Sequence, residues 1–74
     1  MQTHEYDLTG LMCPVPIIKS HRKMNDLASG DVLVVTTTDP VARHDFRDYC
    51  RSMGHKLLKI DRFPSYMRVH IQKR

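Results

Sequence analysis

Two prolines one residue apart, Pro14 and Pro16, constrain this chain more than any other feature. Proline has no backbone N–H and its ring fixes φ, so a helix accepts it readily only in the first turn, where that N–H would have no intrahelical partner. The amphipathic stretch that follows must therefore begin at these prolines. Directly before them stands Cys13, within Gly10-Leu11-Met12-Cys13-Pro14-Val15-Pro16. The thiol thus falls at or just before a helix N-terminus. Unpaired first-turn N–H groups and the positive end of the helix dipole favour negative charge there, and cysteines so placed have depressed pKa values. The expectation is a nucleophilic Cys13 thiolate on a frame stiffened by Pro14 and Pro16.

Strand and helix patterns alternate around this point. His4-Glu5-Tyr6-Asp7-Leu8 puts Tyr6 and Leu8 on one face and reads as a half-buried edge strand, broken by Thr9-Gly10. A helix is predicted from Pro14 to Ala28. Ile17, Ile18, Met24, Leu27 and Ala28 form its apolar face, with Val15 near the start, while Lys19, Ser20, Arg22, Lys23 and Asn25 fall on the other side. Gly30 suits the left-handed position that closes a helix. Val32 to Thr38 is β-branched and apolar at its start, as in a central strand. The intervening helix makes a right-handed βαβ crossover.

Asp39-Pro40 opens a second helix, Asp39 as cap and Pro40 at the first helical position. Ala42, Phe46, Tyr49, Cys50 and Met53 form its apolar stripe, so Cys50 reads as a small buried hydrophobe, and Gly54 closes the helix. His55 to Phe63 reads as a third strand. Pro64-Ser65 turns the chain, and Tyr66 to Ile71 alternates with Met67, Val69 and Ile71 on one face. The order is βαβαββ. It predicts an α/β two-layer sandwich, one domain over residues 1–74, with two helices on a four-stranded mixed sheet. Strand order does not follow from these patterns.

Two cysteines are too few for a disulfide-stapled framework, so both read as reduced thiols. With no apolar stretch of membrane-spanning length and no leader pattern, a cytoplasmic location is expected and no membrane association. Twelve Lys and Arg against eight Asp and Glu give a net charge of +4. That balance suits a solvated surface, an acidic protein partner or the phosphates of RNA. Against RNA, Tyr6, Phe63 and Tyr66 are scattered, with no aromatic pair on adjacent strands to stack bases. Direct nucleic-acid binding is therefore disfavoured. A small basic RNA-binding or regulatory interaction module, with an incidental thiol, remains the alternative.

The chemistry open to Cys13 is narrow. A Cys-x-x-Cys redox cycle needs a second cysteine where Pro16 stands. A cysteine–histidine pair needs a positioned base, and none of the five histidines has a local motif. Two cysteines far apart do not resemble a zinc framework, so no metal and no cofactor are expected. What suits a lone activated thiol is carriage of a group between proteins, and a persulfide fits that role. Leu11, Met12 and Val15 would surround the thiol with an apolar, partner-facing rim. Lys19, Arg22 and Lys23 lie within a few turns, as a steering surface for an acidic partner or as an ordinary solvated face.

Cys13-Pro14-Val15-Pro16, a Cys-Pro-x-Pro motif after Leu8-Thr9-Gly10-Leu11, resembles the TusA/SirA-like sulfur carriers. Asp39-Pro40, Asp45 and Tyr49-Cys50 through Met53-Gly54-His55 extend the resemblance over nearly the whole chain. It implies the sheet order 1-2-4-3 with the fourth strand antiparallel, and sulfane sulfur carried as a persulfide on Cys13, supported by Gly10, Pro14 and Pro16. It implies a relay protein rather than a self-sufficient enzyme. The donor would be a cysteine desulfurase or a rhodanese-type protein. The acceptor would be a DsrE-like protein or a tRNA-thiolation relay, with sulfur oxidation as the other setting. Met12 and Val15 stand where TusA proper often has Arg and Glu, so the rim here is less charged.

Overall fold

The computed structural model describes residues 1–74. The elements are β1 (Thr3–Asp7), α1 (Val15–Asn25), β2 (Val32–Thr37), α2 (Ala42–Met53), β3 (Lys56–Arg62) and β4 (Met67–Gln72). The sheet runs β1-β2-β4-β3. β1 is parallel to β2, and β4 is antiparallel to both β2 and β3. This is the βαβαββ sandwich with the 1-2-4-3 order. No helix is long and apolar enough to cross a membrane.

β2 is central because it can be buried on both sides: Val32, Leu33, Val34 and Val35 are all buried. Leu33 and Val35 pair in register with Ile71 and Val69 of β4, and these four join Met24, Phe46, Tyr49 and Cys50 from the helices in one core. Val32 and Val34 face the other way. The cross-strand pairs Glu5–Arg68 (2.6 Å) and Asp61–His70 (3.2 Å) share that face.

Both helices are shorter than the patterns predict. α1 ends at Asn25 rather than Ala28, because Asp26 and Leu27 donate to the carbonyls of Lys23 and Met24 three residues back, a tightened last turn. Asp31 then accepts the N–H groups of Gln2 and Ala28 and faces His4 Nε2 at 3.3 Å, tying three segments together. Gly30 does not close the helix. It turns the chain into β2 at φ 89°. The buried line of α1 runs through Pro16, Ser20 and Met24, so Ser20 is interior, whereas Ile18 and Ala28, assigned to the apolar face, are exposed. α2 begins at Ala42 instead of Pro40, after a turn in which Ala42 N–H reaches the Asp39 carbonyl. Gly54 does close α2 in the left-handed conformation.

Cys50 is 3% exposed, and burial pushes its thiol from 9.0 up to about 11. A raised thiol pKa means that the folded chain favours the neutral form. This stabilisation is fully present below pH 9 and is lost as pH rises towards 11, an alkaline loss of about 3 kcal/mol. In urea titrations across that range, Cys50→Ala is expected to be less stable at neutral pH and to lose less further stability on alkalinisation. An alkaline limb as steep as wild type would remove Cys50 as its source.

Candidate functional site

The loop after β1 delivers the thiol. Gly10, at φ 82°, donates its N–H to Thr38 Oγ1 at 2.9 Å. Leu11 packs half-buried against the core, and Met12 is 57% exposed. Cys13 is exposed and unpaired, and its peptide bond to Pro14 is cis. The Cys13 N–H donates to Asp39 Oδ2 at 2.7 Å, while Asp39 Oδ1 accepts the N–H of Val41 at 3.1 Å. Asp39, read as the cap of α2, does not cap it: the N-cap is Val41, with no side-chain bond, because the helix starts two residues later than predicted, and the buried Asp39 carboxylate instead ties together the approaches to both helices.

Asp39 is 1% exposed, so truncating it leaves the amides of Cys13 and Val41 without their acceptor and a void where the carboxylate was. Bonds to charged acceptors contribute more than neutral ones. Asp39→Ala should lose about 3 kcal/mol and lower the thermal midpoint by about 10–20 °C in a melting experiment. An unchanged midpoint would show that the two amides find other acceptors at no cost.

The expected thiolate-stabilising helix start is not what the structure contains. Pro14 and Pro16 have no N–H, and that of Val15 is taken by the Met12 carbonyl at 2.9 Å. The prolines that fix where α1 begins also remove two of its first-turn donors. In their place stand carboxylates: Cys13 Sγ and an oxygen each of Asp39 and Asp45 lie within 4.8 Å of one another. The Asp45 carboxylate acts most strongly on the thiol, since a proton on sulfur is favoured beside it. With partial desolvation and the charges of Asp45 and Asp39, it holds the Cys13 thiol above the ordinary 9.0. The depressed pKa expected from the sequence is thus corrected to a raised one. The same three atoms have the spacing of cation ligands, but both Asp39 oxygens already accept main-chain hydrogens.

Beside Sγ opens a cavity of about 380 Å³ lined by Ile17 and Pro14 of the α1 start and by Asp45, Asp48, Tyr49 and Met53 of α2. A second, of about 340 Å³, shares Ile17, Tyr49 and Met53 and continues to Ile18, His21 and Arg22. No histidine stands at the thiol as a base. His21 Nδ1 is 3.2 Å from the Tyr49 hydroxyl, and His4 and His70 face Asp31 and Asp61.

The rim residues named from the sequence divide. Met12 and Val15 are exposed beside Cys13, as are Lys19 and Arg22 along α1. Lys23 instead lies over the Tyr6 ring, 5.7 Å from its centroid. The aromatics are also less scattered than the sequence suggests. The β3–β4 turn stacks Phe63 on Tyr66, with centroids 4.6 Å apart and planes at 16°, so each ring covers one face of the other. The residue that sequence reasoning placed least well was Asp45. Its place in the second helix carries no sign in the sequence that it meets Cys13.

Residues 4–73 match the family model described as Sulfurtransferase TusA. A candidate sulfur carrier protein of Neisseria meningitidis serogroup A is 43% identical over 58 residues, covering 78% of each chain. The sulfur carrier protein TusA of Pseudomonas aeruginosa is 45% identical over 53 residues, covering 72% of this chain and 67% of its own. Among solved structures, a SirA-like protein from Desulfitobacterium hafniense superposes with a TM-score of 0.80 at 23% identity, over 97% of this chain and 96% of the other. That likeness establishes the shared fold.

Proposed function

The chain belongs to the TusA family of sulfur carriers, and from that premise we propose that Cys13 is its carrier residue, accepting sulfane sulfur as a persulfide and passing it to a cysteine of an acceptor protein. The observation that carries this reading is the exposed, unpaired Cys13 thiol, with an open cavity beside its sulfur and the Asp39 and Asp45 carboxylates within 4.8 Å of it.

The Cys13 sulfur attacks the outer sulfur of the donor persulfide. A new S–S bond forms at Cys13 as the donor's S–S bond breaks, and the donor cysteine leaves as a thiolate. The thiol proton passes to the Asp45 carboxylate or to that leaving thiolate. The transferred sulfur keeps its oxidation state, so no external oxidant or reductant is needed. In the second half the acceptor thiolate attacks the outer sulfur of the Cys13 persulfide, and Cys13 leaves. Both steps depend on thiolate fraction and access. Pro14 and Pro16 set the geometry and move no proton.

A cysteine desulfurase or a rhodanese-type protein suits the donor role, and a DsrE-like protein or a tRNA-thiolation relay the acceptor role. The test is intact-protein mass after exposure to a desulfurase with cysteine and, separately, to a polysulfide. The expected result is a gain of one sulfur atom that a thiol reductant removes. No gain from either donor, in a protein whose Cys13 still alkylates, would sink the persulfide reading.

A further inference from the structure

The two cavities between α1 and α2 form one groove, because Ile17, Tyr49 and Met53 line both. Its middle is apolar and its ends differ in charge. Asp45 and Asp48 stand at the thiol end, while His21 and Arg22 stand at the far end. We infer that this groove receives a cysteine-bearing segment of a partner protein with Lys or Arg beside its cysteine, apolar residues next, and Asp or Glu beyond them. The inference rests on the carrier reading for its chemistry and names the partner surface which that reading requires.

Net charge alone suggests the opposite polarity, an acidic partner drawn to Lys19, Arg22 and Lys23. The structure places only Arg22 of those three in the groove and sets the carboxylates beside the sulfur. A partner cysteine flanked by acids would approach Asp45 and Asp48 against like charge, whereas a flanking cation meets opposite charge. The same cation offsets the charge of the Asp45 carboxylate and so eases the proton off Cys13. Docking and activation of the thiol are then one event, and a free carrier keeps its thiol comparatively quiet. Ile18, at 48% exposed, extends the apolar strip towards Arg22 and gives the middle of the segment something to cover.

Two synthetic peptides of identical composition test this, each with its single cysteine activated as a 2-thiopyridyl disulfide. One carries lysine beside the cysteine and glutamate at the far end; the other has these exchanged. Cys13 attacks the peptide sulfur, the bond to the pyridyl sulfur breaks, and released 2-thiopyridone reports the rate by absorbance. Each rate is divided by that with neutral 2-mercaptoethanol, which cancels intrinsic differences between the peptides.

The lysine-proximal peptide should react about fivefold faster at low salt. The preference should fall below about twofold at high salt and in an Asp48→Asn, Arg22→Gln double variant. Equal rates, the reverse order, or a preference that survives the double substitution would overturn the inference. Polysulfide loading of the same sample separates the two claims. Loading without charge preference removes the groove assignment alone. Charge preference without loading removes the carrier reading and leaves the groove as a docking site.

Discussion

Cys13→Ser is expected to fold as wild type does and to take up no sulfur from either a desulfurase or a polysulfide, whereas Cys50→Ser loads fully. The contrast follows from where the two sulfurs sit. Cys13 is exposed, so an isosteric change of sulfur to oxygen should move stability by no more than about 0.5 kcal/mol. Its hydroxyl replacement has no appreciable anion at neutral pH and cannot attack a sulfane sulfur. Cys50 is 3% exposed and its thiol is pushed up to about 11, so its thiolate at pH 7 is on the order of one molecule in ten thousand, with no path to a donor. Uptake by Cys13→Ser, or sulfur found on Cys50 by peptide mapping, would contradict the assignment. Cys50→Ser controls for fold as well as for chemistry. It places a hydroxyl in the core and should cost about 1–3 kcal/mol, so loading must be compared where both variants are folded.

Much of the architecture was legible because it is written locally. Alternation put Met67, Val69 and Ile71 on the buried side of β4, and the stripe Ala42, Phe46, Tyr49 and Cys50 defined the inner face of α2. Gly54 ended that helix where its freedom at positive φ predicted. The strand order came from resemblance, since no local pattern says that β4 lies between β2 and β3.

What failed to show in the sequence is what the fold brings together over distance. Asp39 reads locally as a cap of α2, whereas in the fold Val41 holds that position and Asp39 accepts the Cys13 amide. Pro14 and Pro16 mark a helix start, and the same residues carry a cost: each removes an N–H from the set that would stabilise a thiolate. Asp45 lies on the exposed side of a helix pattern, and nothing nearby in sequence points to the thiol it meets. The sign of the Cys13 shift was therefore wrong for a definite reason. A helix-terminus argument counts donors that these prolines do not have and omits carboxylates arriving from the other helix.

Asp45→Asn should make Cys13 react faster with an alkylating reagent at neutral pH and slower at strongly alkaline pH, so that the two rate profiles cross. The amide keeps the shape of the carboxylate and removes its charge. The Asp45 carboxylate is the largest cause holding the Cys13 thiol up, so the variant's thiol should titrate at lower pH. Below both titration midpoints the variant has more thiolate. Each tenfold gain in thiolate should raise the observed rate only about threefold, because a less basic thiolate is also a weaker nucleophile. Above both midpoints each protein is fully thiolate, and the wild-type sulfur, being more basic, reacts faster. The residual charge of Asp39 stays in place in both proteins, so the variant moves towards the ordinary thiol value from above. A change in access around the cavity would raise or lower the rate at every pH alike. Parallel profiles would therefore assign Asp45 a steric role, whereas a crossing shows that its carboxylate governs the proton on Cys13. That crossing also bears on the carrier at rest. A thiol kept protonated by Asp45 is less open to stray oxidants at neutral pH, and a partner cation that engages the carboxylate would relieve the restraint where sulfur is to be exchanged.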